Sequence, residues 1–185
     1  MTYIDETYVL AFDTGPGNAL MDDFVQSRTG ARFDEDGKLA LSGSIRSELL
    51  SGWLQHPYFK ELPPKSLDRD EWDVSDLSDD VSVEDGLATL QRFTVDSIIK
   101  SRDFMKEAPK AWYACGGGRH NKVLMAALSE KLPMHSVDEL GWDGDATEAE
   151  CFGYLAVRSL LSEPLSFPGT TGVREALSGG VLFKA

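Results

Sequence analysis

Two cysteines and three histidines are the only thiol and imidazole groups in this 185-residue sequence. Cys115 and Cys151 stand far apart, each in an apolar segment, so the expectation is two small buried hydrophobes in a reducing compartment. His56 precedes a proline and His135 falls in an expected strand, neither with a partner at zinc-ligand spacing, so no metal site is expected. Cations are scarce too: 18 Lys and Arg stand against 31 Asp and Glu, a net charge of −13. That field repels phosphate backbones, and with no basic stripe nucleic acid is not an expected partner. An anionic ligand must be held by local devices, such as backbone N–H groups at helix starts. No apolar run approaches the roughly 20 residues that span a bilayer. The opening Met1-Thr2-Tyr3-Ile4-Asp5-Glu6 lacks a basic-then-apolar pattern, so no secretory signal and no membrane partner are expected. Gly-Lys-Ser/Thr is missing, which excludes a P-loop. With Gly37 in the glycine slot of a calcium loop, the terminal ligand positions fall on Arg32 and Gly43, so Asp34-Glu35-Asp36-Gly37 reads as an acidic turn.

What is present is an alternation of strands and helices. Tyr8–Phe12 is a short apolar run expected to form a buried strand, followed by a helix carrying Leu20, Met21, Phe24 and Val25 and stopped near Gly30. A second helix is expected from Ser44, with Ile45, Leu49, Leu50 and Trp53 on one face. Residues 56–80, rich in proline and acidic side chains, read as a long irregular excursion. Ser82-Val83-Glu84-Asp85 opens a third helix, with Leu87, Leu90, Phe93 and Ile98 inward. Trp112–Cys115 is the next strand, Asn121 caps a helix through Leu124, Met125, Leu128 and Leu132, and Met134–Val137 is a further short strand. A last helix from about Asp145 places Ala149, Phe152, Leu155, Ala156 and Leu160 on one face, and a loop-like tail follows. This order predicts a single α/β domain over 1–185, with a mixed sheet containing parallel pairs flanked by helices.

One arrangement occurs twice: an apolar strand, a glycine-rich turn, an asparagine and an amphipathic helix. The turns are Asp13-Thr14-Gly15-Pro16-Gly17-Asn18 and Gly116-Gly117-Gly118-Arg119-His120-Asn121. Glycines let a backbone approach a ligand closely, and the helix start that follows offers free N–H donors to phosphate. Either turn alone could be a plain connection; the repetition points to ligand binding.

Four motifs in this order resemble the C-terminal half of anhydro-N-acetylmuramic acid kinases: the first turn with Phe12, the triple glycine with Cys115, Glu139-Leu140-Gly141-Trp142-Asp143-Gly144-Asp145, and Phe167-Pro168-Gly169-Thr170-Thr171-Gly172. Pro63-Pro64-Lys65-Ser66 extends the likeness over nearly the whole chain. The resemblance implies a ribonuclease-H-like lobe of the actin-like ATPase superfamily, standing as the C-terminal lobe of a two-lobed sugar kinase. The family's N-terminal glycine- and serine-rich phosphate loop has no counterpart here, so the missing lobe is an expected partner in cis or in trans. The implied reaction consumes ATP with Mg²⁺: water opens the anhydro bridge of 1,6-anhydro-N-acetylmuramic acid, and the released oxygen is phosphorylated, giving N-acetylmuramic acid 6-phosphate in cell-wall recycling. A cytoplasmic location and a homodimer are implied as well.

Carried over residue by residue, Asp13 matches the general base. Thr14, Gly15 and Gly17 fall in the phosphate motif, and Gly116, Gly117, Gly118 and Arg119 in the adenosine motif. Asn18 could contact sugar or phosphate, and Glu148 matches a sugar-facing position. Plainer readings stand beside these. Asp13 can hydrogen-bond its own turn, Asn18 can cap a helix, Arg119 can be a surface cation, and Asp145–Glu148 can form a capping box. At the level of the whole chain the alternatives are a non-catalytic lobe that captures amino sugar or nucleotide, and a purely structural or oligomerising domain.

Overall fold

The computed structural model describes residues 1–68, 71, 72, 74 and 77–183. Its centre is a helix, α4 (Val83–Lys100). Ser82 caps it by accepting the Asp85 amide at 3.1 Å, and Glu84 and Asp85 complement the positive end of the helix dipole. Leu87, Leu90 and Phe93 are buried as the periodicity predicts, and Ile98 is half-buried. α1 (Ala19–Thr29) lies across α4 and buries Leu20, Met21, Phe24 and Val25, ending on the left-handed Gly30. The helix expected from Ser44 begins later, as α3 (Ser47–Trp53), which leaves Ile45 exposed. Before it stands α2 (Lys38–Ser42), packed closely on α4 and not anticipated. The acidic turn nucleates α2, since the two Asp34 carboxylate oxygens accept the Leu39 and Ala40 amides at 2.9 Å.

Residues 56–80 hold only short 3₁₀ turns among those described, as expected of an irregular segment. They are nonetheless part of the core. Tyr58 and Trp72 are buried, and Trp72 stands edge-on to Phe93 at 5.0 Å between ring centroids. Positions 69, 70, 73, 75 and 76 of the expected excursion lie outside the described residues.

The strands depart from expectation. In place of one mixed sheet there are two separate pairs: β1 (Thr2–Ile4) antiparallel to β2 (Val9–Ala11), and β3 (Trp112–Ala114) parallel to β4 (Met134–Ser136). β1 was hidden by its acidic neighbours, Asp5 and Glu6. The crossover from β3 to β4 carries α5 (Lys122–Ser129), capped by the Asn121 side chain, which accepts the Leu124 amide at 3.0 Å.

α6 (Thr147–Leu160) buries none of its residues. Phe152 and Leu160, expected on its one apolar face, are exposed, because amphipathic periodicity reports an apolar face without reporting a partner for it. The tail contributes one further turn, α7 (Pro168–Thr171), lying against β2. Cys115 and Cys151 are both exposed, which corrects the reading of buried thiols. Cys115 follows β3, where the glycines begin, and Cys151 sits on α6. Among the described residues, no helix is long and apolar enough to cross a membrane.

Candidate functional site

The first turn leaves the C-terminal end of β2 and is fixed from below by α4. The Thr94 hydroxyl donates to the Gly17 carbonyl at 2.7 Å, and a Cβ added to Gly15 would come within 2.7 Å of the Ser97 Cβ. Gly15 is therefore required by packing, whereas Gly17, at φ +60°, is required by backbone conformation. Asn18 does not cap α1: its backbone is already helical and its side chain makes no capping bond. The side chain reaches the second turn instead, with Oδ1 3.1 Å from the point where a Gly118 Cβ would stand. The two glycine turns, a hundred residues apart in the chain, thus meet through Asn18.

Gly116 opens the second turn at φ +74°, and its amide donates to the Gly144 carbonyl at 2.8 Å. The amides of Gly117 and Gly118 have no partner among the described residues, nor do those of Gly17 and Asn18 in the first turn. At Gly116 and Gly117 nothing occupies the space around an added Cβ, so this stretch of backbone lies open to a ligand.

Arg119 is no free surface cation: its side chain is 7% exposed. Its guanidinium donates to Asp138 at 2.8 Å, Asp145 at 2.5 Å and the Gly116 carbonyl at 3.1 Å. These bonds tie the triple glycine to the 138–145 loop, and a Cβ on Gly144 would lie 2.7 Å from the Arg119 Cζ. Hydrogen bonds from Arg119 hold the carboxyls of Asp138 and Asp145 far below the usual carboxylate range. Asp145 is consequently not a capping residue. Helix α6 starts after Ala146, Asp143 Oδ1 accepts the Asp145 and Ala146 amides, and the expected capping box with Glu148 is not formed. Glu148 is exposed and makes no hydrogen bond or ion pair among the described residues.

Asp13 is exposed and tied to residues 65–67. Its amide donates to the Lys65 carbonyl at 3.2 Å, its carboxylate Oδ2 accepts the Leu67 amide at 3.1 Å, and its carbonyl accepts the Tyr58 hydroxyl at 2.6 Å. Burial, helped by the nearby Asp13 charge, pushes the Tyr58 phenol up to about 12. Lys65, quoted above only within a resemblance, carries its ammonium 4.3 Å from the Tyr58 ring centroid and 4.5 Å from that of Phe104, and burial lowers its pKa. Tyr58 and Lys65 support Asp13 from behind, and a lysine after two prolines gave no sign of that in the sequence. Asp138 was readable, since Ser136–Glu139 forms the capping box its spacing suggests.

Two openings of about 330 Å³ each border the turns, and Asn18 lines both. One runs between Thr14, Gly17 and Gly118 and has walls of Ile98, Trp112 and Leu128. The other is faced by Asp22, Asp34, Glu35, Asp36 and Phe33, with Gly117 and His120 opposite. Among the described residues no group of three His, Cys, Asp or Glu could hold a metal ion.

A sequence model of the family described as anhydro-N-acetylmuramic acid kinase matches residues 3–185. Among curated relatives of that name, those of Caulobacter vibrioides and Rhodospirillum rubrum are each 47% identical, over 93% and 95% of this chain and 47% of their own length. That of Zymomonas mobilis is 42% identical over 95% of this chain and 48% of its own. The chain spans about half the length of the curated relatives it matches.

Proposed function

The chain belongs to the anhydro-N-acetylmuramic acid kinase family, and from that membership we propose that it supplies one half of an ATP-dependent sugar kinase of ribonuclease-H-like architecture. In the proposed reaction water adds to the anomeric carbon of 1,6-anhydro-N-acetylmuramic acid, and the bond from that carbon to the bridging oxygen breaks. The bridging oxygen takes the γ-phosphoryl group as the bond from its phosphorus to the β-phosphate oxygen breaks and ADP leaves, and Asp13 accepts the proton that water gives up. ATP supplies the phosphoryl group, and Mg²⁺ neutralises charge on it.

The observation that carries this reading is the meeting of the two glycine turns at Asn18 and Gly118, each with backbone amides left without partners. Such donors suit phosphate oxygens despite the chain's net charge. The open backbone at Gly116 and Gly117 fits a nucleotide lying against it. The opening faced by Asp22, Asp34, Glu35 and Asp36 keeps an excess of carboxylates although Lys38 and Lys122 pair with Asp36, and it suits hydroxyl donors of a sugar or ribose better than phosphate. Arg119 acts here by holding the triple glycine, its donors being engaged by Asp138 and Asp145. Mg²⁺ would be held mainly by phosphate oxygens and water, since Asp145 Oδ1 is already engaged by Arg119 and His120. Glu148 as a sugar contact requires the complementary half to complete its surroundings. Pairing of two copies, implied by the resemblance, would use the apolar face of α6.

The test supplies the unmatched half of the Rhodospirillum rubrum relative in trans. Conversion of anhydro-N-acetylmuramic acid and MgATP should require both halves, since phosphoryl transfer needs groups on both sides of the triphosphate. A pair that associates and binds MgATP yet forms no sugar phosphate would leave the non-catalytic binding lobe as the better description.

A further inference from the structure

Asp13 is fastened at three points, and all three run to one short stretch of chain. Its amide donates to the Lys65 carbonyl at 3.2 Å, its carbonyl accepts the Tyr58 hydroxyl at 2.6 Å, and its Oδ2 accepts the Leu67 amide at 3.1 Å. One side chain ties these anchors to each other, because the Lys65 ammonium donates to the Tyr58 carbonyl at 2.7 Å. A closed ring results. It runs from the Asp13 carbonyl through Tyr58 to the Lys65 ammonium, and from the Lys65 carbonyl back to the Asp13 amide. Two residues further on, Leu67 reaches the carboxylate itself, so the seat of Lys65 sets where that oxygen is held.

The seat is an aromatic box. The ammonium lies 4.3 Å from the ring centroid of Tyr58, 4.5 Å from that of Phe104 and 5.8 Å from that of Phe12. Phe12, the residue before Asp13, stands edge-on to Phe104 at 5.6 Å, so the box also grips the chain on the near side of the turn. Attraction to ring faces holds a partly desolvated cation without a carboxylate partner. Among the described residues Lys65 forms no ion pair with Asp13, its charge being taken up by a carbonyl and three rings. That distinction has a chemical consequence. A carboxylate paired with an ammonium is a weaker base, whereas an ammonium satisfied elsewhere can fix a carboxylate without blunting it.

We propose that Lys65 is a positioning residue for the reaction: its boxed ammonium keeps Tyr58 and residues 65–67 in register and so aims the Asp13 carboxylate at the water it activates. The proposal rests on the general-base reading of Asp13 and adds the device that orients the base. Lys65 acts through Asp13, so its loss appears in kcat and leaves nucleotide affinity in place.

The experiment places Lys65→Met in the two-half enzyme, once with Asp13 and once in the Asp13→Asn background. Methionine fills the same box through sulfur–aromatic contact and removes only the donor and the charge. With Asp13 present kcat should fall about tenfold, part of the roughly 10²-fold that a 1 Å misplacement costs, with MgATP affinity within about twofold of the parent. In the Asp13→Asn background the same change should alter kcat by less than about twofold, since no base is left to aim. A merely structural role would lower both by the same factor. Tyr58→Phe opens the same ring at another bond, so combined with Lys65→Met it should cost no more than either change alone. In the chain alone, hydrogen exchange at the Leu67 amide should quicken about tenfold in Lys65→Met. Unchanged kcat in Asp13→Asn sinks the general-base reading and the proposal with it. If Asp13→Asn does lose activity, any one of four results overturns the positioning role alone: unchanged kcat in Lys65→Met, equal losses in both backgrounds, multiplied losses with Tyr58→Phe, or a Leu67 amide that exchanges as in the parent.

Discussion

The Asp13 carboxylate accepts the Leu67 amide through one oxygen while the residue remains exposed, so holding its turn and the proposed general-base role fall on one side chain. Asparagine separates them, because its carbonyl oxygen can keep the Leu67 bond but cannot take a proton from water. In the two-half enzyme Asp13→Asn should lower kcat by at least about 10²-fold, the smaller end of general-base contributions. Nucleotide affinity should change far less, since the backbone donors of the turn survive. Near-normal turnover assigns Asp13 to holding its turn. Tyr58 allows a test that needs no substrate. Its folded pKa, near 12, exceeds the ordinary value of 10, so its stabilising contribution is whole below pH 10 and is lost as pH rises towards 12. The ionised phenol can no longer donate to the Asp13 carbonyl. Tyr58→Phe should cost about 1 kcal/mol at neutral pH. Denaturant titrations should also show a shallower alkaline loss of stability than in the parent, and an unchanged slope between pH 10 and 12 would contradict the assignment.

At the scale of elements, the first turn reaches its place only because α1 and its glycine lead lie flat on α4. Gly15→Ala should destabilise by about 1–3 kcal/mol through overpacking on Ser97. Ser97→Gly in the same chain removes the obstructing atoms and should recover most of that loss, a coupling that thermal melts of the double variant would measure. This contact explains what could be read in advance and what could not. α1, α4 and α5 were legible because periodicity, caps and stops agree within each segment: Leu20 to Val25 before Gly30, Ser82 before an acidic turn, Asn121 before Leu124. α2 was hidden because its cap, Asp34, binds amides five and six residues ahead instead of two or three. The two turns were visible as candidates, but the Asn18 contact with Gly118 and the clamp of Arg119 on Asp138 and Asp145 are tertiary, and no local pattern encodes them. The same limit misread α6, whose stripe of Phe152, Leu155 and Leu160 marks a face and leaves its partner unspecified.

Across the whole molecule, burial is concentrated around α4, while a second apolar surface lies outside it. Phe152, Tyr154, Val157, Leu160 and Leu161 are exposed on and just after α6, and Val181, Leu182 and Phe183 are exposed in the tail. Contiguous apolar surface drives association, and a net charge of −13 opposes it through mutual repulsion between copies. The two effects answer differently to salt. At low ionic strength the repulsion reaches far, whereas at about 0.1 M the Debye length falls to about 10 Å and the repulsion shrinks without weakening the apolar attraction. Light scattering of the isolated chain should therefore increase as sodium chloride is raised from low concentration, the reverse of what an ion-paired contact would do. Phe152→Ser with Leu160→Ser should suppress that increase. Because α6 buries no residue of its own, the same pair should leave the folding stability within about 0.5 kcal/mol of the parent. Loss of stability in the double variant would mean that α6 packs on the lobe in solution; salt-driven association that persists at unchanged stability would place the sticky surface elsewhere.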